Sequence, residues 1–421
     1  MRVTLLPSEL KGTVTAPPSK SYMHRALILS SIADKSTKLM CTSFSEDIKA
    51  TMSCLTALGA SFEIKKDCVI VSPIDVNKKD DKECVLDVGE SGSTFRFMLP
   101  FAAALGRKCV FKGADRLGKR PLLPLINTLL ENGAVITHSE SSFLPLKLSG
   151  KLTGTLFSVP GDVSSQFITG LLFALCIMGG GSITTTTPLQ SAPYVEITTD
   201  ILKKFGIITE TAPGGYRINE NQKCISPRSL KIEGDYSNAA FWLVAGAIGK
   251  GSIRCEGVFE NSIQGDRKIE DILTKMGAKI KREEAAVTVY PSKLFGTNID
   301  AADIPDIVPV ICVASCSAEG ATVITNTKRL REKESDRVES TVNMLCALGA
   351  DIEADENTIT IRKSALCGGI IDSANDHRIA MSGAIASLIT KDAVTIENAG
   401  AVSKSYPDFF LKFQMLGGEF I

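Results

Sequence analysis

The chain repeats itself about every 70 residues, and no other property restricts its fold as much. The segments LTALGA, LLENGA, LKKFGI, LTKMGA, LCALGA and FQMLGG place a glycine at positions 59, 133, 206, 277, 349 and 417, at steps of 68 to 74 residues. In each, an apolar helical pattern stops at glycine, the residue that best tolerates the left-handed backbone at a helix C-terminus. Strand-like alternation follows most of them, as in Ser61-Phe-Glu-Ile and Asp351-Ile-Glu-Ala. A second series runs in phase. Ser19, Ser91, Ser164, Ser237, Asp306 and Asp376 lie at, or within a residue or two of, the start of an apolar helix. Ser and Asp suit that place because their oxygens accept the free N–H groups of the first turn.

Six such units fill the 421 residues. Each reads as strand, helix, strand, second helix closed by glycine, then further strand. Repeated units stack to share a core, so the expected architecture is α/β of the α+β type, in two similar domains of three repeats each. Two stretches are suited to crossing between domains: the polar run Asn219 to Lys231, and Pro17-Pro18 directly before the first helix. The expectation is an inserted domain over 19–231 and a discontinuous domain made of 1–18 and 232–421. Two domains in simple succession are the alternative.

Composition excludes several classes. Lys+Arg and Asp+Glu both number 47, so net charge is zero and a protein that coats nucleic acid is disfavoured. Any basic site must be local. The twelve cysteines form no CxxC pair; Cys312 and Cys316 lie four apart in an apolar stretch and read as buried helix positions, not metal ligands. Free buried thiols suit a reducing compartment. The start MRVTLLPSELKG lacks the apolar core of a signal peptide, and the longest apolar run, Phe167 to Gly181, is too short to span a bilayer. A soluble, cytoplasmic protein is expected.

Helix N-termini favour anions through unpaired N–H groups and the helix dipole. Around the helix starts stand Lys20 and Arg25, Arg96, Arg120, Lys333 and Arg337, Arg378 and Lys404. Lys20 and His24 share one helix face, Ser21 and Arg25 the adjacent one. Any one of these cations alone reads as a solvated surface charge; their recurrence beside the same element points to an anion site. Gly113 to Lys119 has the spacing of a phosphate-binding P-loop, but Arg120 stands where Ser or Thr should hold magnesium. His377 in Asp376-His-Arg378 has no nucleophile as partner and reads as structural. Asp306 opens a very apolar helix, where desolvation raises a carboxyl pKa and neighbouring cations lower it. Glu334 stands between Lys333 and Arg337. A carboxylate beside a lysine at an anion site is a proton-transfer pair or a structural ion pair.

Taken together, these segments resemble the 3-phosphoshikimate 1-carboxyvinyltransferase (enolpyruvylshikimate-phosphate synthase) family over essentially the whole chain. The resemblance is carried by Pro18-Ser-Lys-Ser-Tyr-Met-His-Arg25, Gly92 to Arg96, Arg116-Leu-Gly-Lys-Arg-Pro121, Ser164-Ser-Gln166 and Ser191-Ala-Pro-Tyr194. It continues through Asp306, Lys333-Glu-Ser-Asp-Arg337, Asn375-Asp-His-Arg378 and Lys404-Ser-Tyr-Pro-Asp408. It implies two domains of three βαβαββ-type units closing on substrates held in the cleft between them. It also implies transfer of the enolpyruvyl group of phosphoenolpyruvate to the 5-hydroxyl of shikimate 3-phosphate, with loss of phosphate, on the way to chorismate and the aromatic amino acids. No metal or organic cofactor is implied, and the chain is expected to act as a monomer on small molecules.

By the same resemblance, Lys20, Ser21, Arg25, Ser164, Ser165, Gln166, Ser191, Asp306 and Lys333 match positions that hold the phosphoshikimate, with Tyr194 beside its phosphate. Arg329 occupies a further contact position that is Asn in some members. Lys20, Gly92, Arg120, Gln166, Arg337, Arg378 and Lys404 match positions that hold phosphoenolpyruvate. Asp306 and Glu334 match acid–base positions, and Lys20 is a candidate to move protons with Glu334. Glu90, Ser93 and Phe97 depart from the commonest residues of the family. The nearest competing reading is the enolpyruvyl transferase acting on UDP-N-acetylglucosamine, which has a reactive Cys where this chain has Asp115. A non-catalytic binding protein for an organic phosphate is the other; it would not need the acid–base pair.

Overall fold

All six repeat glycines adopt the left-handed backbone, with φ from 78° at Gly206 to 110° at Gly59. The computed structural model describes residues 1–76, 82–212 and 214–421. Twelve α-helices follow one another in the described residues: α1 Lys20–Ser30, α2 Glu46–Ala57, α3 Gly92–Leu105, α4 Leu123–Glu131, α5 Ser165–Met178, α6 Ala192–Lys204, α7 Tyr236–Ile248, α8 Lys268–Lys275, α9 Val308–Cys316, α10 Arg337–Ala347, α11 His377–Ala386 and α12 Phe409–Met415. Odd-numbered helices begin at the Ser/Asp series, and even-numbered ones end at the glycines.

Ser19, Ser91, Ser164 and Asp376 cap their helices by accepting a backbone N–H. Two starts are displaced. Asp235 caps α7, leaving Ser237 inside its first turn, and Ile307 occupies the cap of α9, so Asp306 sits just outside it. The carboxylate of Asp306 is thereby spared for side-chain partners.

Each repeat centres on one small sheet, four-stranded with a constant order in the first five and three-stranded in the last. In the second, Cys84–Asp87 runs parallel to Cys109–Lys112, which is antiparallel to Leu146–Gly150, with Ala134–Thr137 outermost. The first repeat borrows its parallel edge from Ser229–Lys231, paired with Thr37–Met40. The fourth takes its edge from Gly12–Thr15, paired with Ile253–Glu256, and Val3–Leu5 closes the last sheet against Val394–Glu397. A parallel pair cannot be joined by a tight turn, so these borrowed edges are where the chain leaves one unit for the other. The chain divides into two compact units, Pro18–Ile232 and Met1–Pro17 with Glu233–Ile421.

Each unit has its own core. Leu27, Phe97, Phe101, Leu171 and Phe173 are fully enclosed in the first, and Phe241, Trp242, Ile311, Met381 and Phe409 in the second. Helices α3, α5, α7, α9 and α11 are buried on nearly every side, as their uniformly apolar sequences require. Cys312 and Cys316 lie inside α9. Among the described residues no helix is long and apolar enough to cross a membrane.

Candidate active site

The sequence-expected residues collect at helix N-terminal ends, in one cluster within each unit. In Pro18–Ile232, α1 packs against α2 so that matched pairs one turn apart meet. Lys20 Nζ donates to Asp47 Oδ2 at 2.8 Å, and His24 Nδ1 lies 2.8 Å from Thr51 Oγ1. Burial, then the charges of Lys20 and Arg25, hold the His24 pKa well below its usual value, so the ring is neutral.

The next face of α1 carries Arg25, which is almost fully buried. Its Nη1 donates to the Ser21 carbonyl at 2.7 Å, its Nη2 to the Tyr194 carbonyl at 2.8 Å, and its Nε to Thr198 Oγ1 at 2.8 Å. The guanidinium also lies over the Phe97 ring, 5.2 Å from its centroid. Burial pulls its pKa down to about 9, with Tyr194 and Tyr22 opposing, which leaves it cationic at neutral pH. Arg25 thus ties α1 to the start of α6. There Ser191 takes φ 56°, a left-handed turn that precedes the first helical residue.

Gly170 lets α5 press against α3: a Cβ there would stand 2.4 Å from the Arg96 carbonyl oxygen. One turn earlier, Gln166 accepts from Arg96 Nη1 and donates to Ser93 Oγ, both at 2.8 Å. Gly92, the first residue of α3, is needed for close approach as well. A Cβ at Gly92 would stand 2.6 Å from Arg120 Nη1 and 3.3 Å from Arg96 Nη1. Ser164 and Ser165 are buried at the start of α5, where Ser164 Oγ accepts from the Gln166 N–H at 3.3 Å.

In the other unit the centre is Arg337, 1% exposed and surrounded by carboxylates. Nε donates to Asp376 Oδ2 at 3.0 Å, Nη1 to Asp306 Oδ1 at 2.9 Å, and Nη2 to Glu334. Arg378 Nη2 reaches the second oxygen of Asp306 at 3.0 Å. Burial pushes the Asp306 carboxyl up, but Arg378, Arg337 and Lys333 together outweigh it and hold the group below the ordinary carboxylate range. Asp376 also accepts from Ser335 Oγ and from the Arg378 N–H, so it is a structural acid bridging α10 and α11. Lys404 Nζ donates to the Asn375 carbonyl at 2.5 Å, fixing it to the turn that carries Asp376. Arg329 lies in the short helix Lys328–Glu332, and Lys333 follows it, both half-buried. His377 is buried at the start of α11.

Four buried participants were not singled out as site residues in the sequence: Asp47, Asp266, Asn238 and Ser405. Ser237 Oγ donates to Asp266, whose pKa burial and the charge of Asp306 push up to about 7. No local motif marks Asp47, Asp266 or Asn238, each of which answers a group on another element, and Ser405 lies in the Lys404-Ser-Tyr-Pro-Asp408 segment but meets Asn238 from 167 residues away. Glu334, Asp376 and His377 could together approach a metal ion. The buried guanidinium of Arg337 already donates to both Glu334 and Asp376, however, and occupies the oxygens that a cation would use.

This is a set of cations and helix ends arranged for anions, with carboxylates among them able to carry protons. The sequence profile of EPSP synthase (3-phosphoshikimate 1-carboxyvinyltransferase) matches residues 6–413. The chain belongs to the EPSP synthase family. A 3-phosphoshikimate 1-carboxyvinyltransferase of Clostridium acetobutylicum is 42% identical over 423 residues, covering 99% of this chain and 97% of the relative. One of Clostridioides difficile is 40% identical over 428 residues, again covering 99% and 97%. The solved EPSP synthase of Acinetobacter baumannii superposes with a TM-score of 0.84 at 27% identity, covering 100% of this chain and 99% of that one. The enolpyruvyl transferase NikO of Streptomyces tendae shares the fold, with a TM-score of 0.80 at 16% identity over 100% of this chain and 98% of that one.

Proposed function

We propose that the two clusters serve one reaction, that of the EPSP synthase family: the enolpyruvyl group of phosphoenolpyruvate passes to the 5-hydroxyl of shikimate 3-phosphate, and phosphate leaves. Each substrate carries a phosphate and a carboxylate, so several negative charges must be met at once. Lys20, Gly92, Arg120, Gln166, Arg337, Arg378 and Lys404 hold phosphoenolpyruvate in this reading. Lys20, Ser21, Arg25, Ser164, Ser165, Gln166, Ser191, Tyr194, Asp306, Arg329 and Lys333 hold the phosphoshikimate. Guanidinium forks bind such groups bidentately, and helix ends add fixed dipoles.

The reaction adds the 5-hydroxyl oxygen to the central carbon of the enolpyruvyl group while its methylene gains a proton. The tetrahedral ketal then expels phosphate and loses a methyl proton. Asp306 takes the hydroxyl proton; Lys20 and Glu334 handle the protons at the enolpyruvyl carbon and the departing phosphate. One observation carries these roles: Asp306 is gripped on both oxygens by Arg337 and Arg378. In that state it is a weak base. An incoming phosphate or carboxylate competes for the same two guanidinium groups, and each contact it takes raises the proton affinity of Asp306. Substrate binding therefore arms the base.

Both clusters come from one chain, and the reading takes it to act as a monomer. The twelve cysteines are all free, which supports a reducing, cytoplasmic setting. A phosphate-release assay with phosphoenolpyruvate tests the whole, offering shikimate 3-phosphate and UDP-N-acetylglucosamine separately. Release with the first acceptor alone is expected. Release with UDP-N-acetylglucosamine alone would transfer the assignment to the related enzyme, and release with neither would leave an organic-phosphate binding protein.

A further inference from the structure

The first turn of α7 contributes nothing to the roles above, yet it touches one phosphoenolpyruvate cation, Arg378, and the residue next to another, Lys404. Asn238 is fully buried there, held by its own helix cap: its backbone N–H donates to Asp235 Oδ1 at 2.9 Å. Its side-chain oxygen accepts from Arg378 Nη1 at 3.1 Å. Its Nδ2 donates to Ser405 Oγ at 3.0 Å, and Ser405 directly follows Lys404.

Arg378 is thereby held at two points. Asp306 takes Nη2 and Asn238 takes Nη1. Two acceptors on different nitrogens fix the plane of a guanidinium, whereas one leaves it free to swing about that contact. The two holds differ in consequence. Asp306 is a charged partner that an anionic substrate displaces in the reading above, while Asn238 is neutral and need not be displaced. When Asp306 lets go, Asn238 is the contact that keeps Arg378 aimed. Through Ser405 the same amide anchors the segment that ends in Lys404, itself fastened to the Asn375 carbonyl.

We infer that Asn238 is a positioning residue for phosphoenolpyruvate, orienting Arg378 directly and Lys404 through Ser405. The inference rests on the reading of Arg378 as a phosphoenolpyruvate ligand. It requires no contact between Asn238 and substrate.

Steady-state kinetics of Asn238→Ala, Asn238→Ser and Arg378→Ala test it, with both KM values measured in the full-length chain. Losing a neutral acceptor to a charged donor predicts a rise of about tenfold in the KM for phosphoenolpyruvate in both Asn238 variants. The KM for shikimate 3-phosphate should stay near its original value, a split that general loosening of the fold would not produce. The serine variant retains a small polar group in the turn should the alanine variant fold poorly. Equal increases in both KM values, or no change in either, would overturn the inference if Arg378→Ala weakens phosphoenolpyruvate. If Arg378→Ala leaves phosphoenolpyruvate unaffected, the underlying reading of Arg378 falls, and this inference with it.

Discussion

Arg378 and Asp306 form a half-buried ion pair, Nη2 to Oδ2 at 3.0 Å, although they stand 72 residues apart in the chain. The separation is one repeat. Asp306 precedes α9 and Arg378 opens α11, so two successive units deliver opposite charges from equivalent helix ends. Arg337, on α10 between them, closes the group from the other oxygen. The site is thus a product of the repeat, built where stacked units bring their helix N-termini together.

Gly92→Ala separates geometry from stability. Its Cβ would meet the far end of the Arg120 side chain at 2.6 Å, and that end can swing aside without disturbing the core. Thermal unfolding should be almost unchanged. The KM for phosphoenolpyruvate should rise about tenfold or more, because the guanidinium no longer sits over the helix start. Steady-state kinetics beside a melting curve check both halves.

Arg25→Lys should destabilise the protein. A lysine cannot reach the Thr198 hydroxyl and the Ser21 and Tyr194 carbonyls together, so buried acceptors lose their donors. A loss of about 2–4 kcal/mol is expected, read by denaturant unfolding, with the KM for shikimate 3-phosphate raised.

Much of this was legible beforehand. The six glycines announced helix ends, and each has positive φ. The in-phase Ser/Asp series announced helix starts, and even its two displaced members, Ser237 and Asp306, lie beside a start. The short motifs that carry candidate site residues, such as Lys20-Ser21 and Ser164-Ser165-Gln166, are equally visible in the sequence. The partners that hold those residues were not. Asp47 answers Lys20 from another helix, and Asn238 answers Arg378 from 140 residues away. Such pairings arise from helix packing, and a one-dimensional pattern does not record which faces meet. Desolvation at Asp306 and the cations that oppose it are both legible in the sequence; only the number of cations gathered on it, Arg378, Arg337 and Lys333, decides the sign.

Asp266→Asn gives a pH signature. Because the folded pKa of Asp266 is raised to about 7 while an unfolded Asp titrates near 3.9, the folded state binds the extra proton between those values. Stability from this group is therefore full below about pH 4 and is lost as pH rises to about 7. An asparagine keeps an acceptor for Ser237 and carries no charge. The variant should be more stable than the parent at pH 8, with the advantage gone at pH 4. Denaturant midpoints across that range decide it; a variant less stable at pH 8 would contradict the burial argument.

His24 acts in the opposite sense in the other unit. Its depressed pKa means that stability is lost as pH falls below about 6.5, where the unfolded chain takes up the proton first. His24→Gln should flatten that limb, and unfolding midpoints between pH 5 and pH 7 would show it.

The measurement that bears most directly on the central claim is the kcat of Asp306→Asn with saturating phosphoenolpyruvate and shikimate 3-phosphate. Removing a general base predicts a fall of about 10²–10⁴-fold, and freeing Arg337 and Arg378 from their carboxylate predicts no rise in the KM for phosphoenolpyruvate. A kcat close to that of the unsubstituted chain would contradict the role of Asp306 as the substrate-armed base.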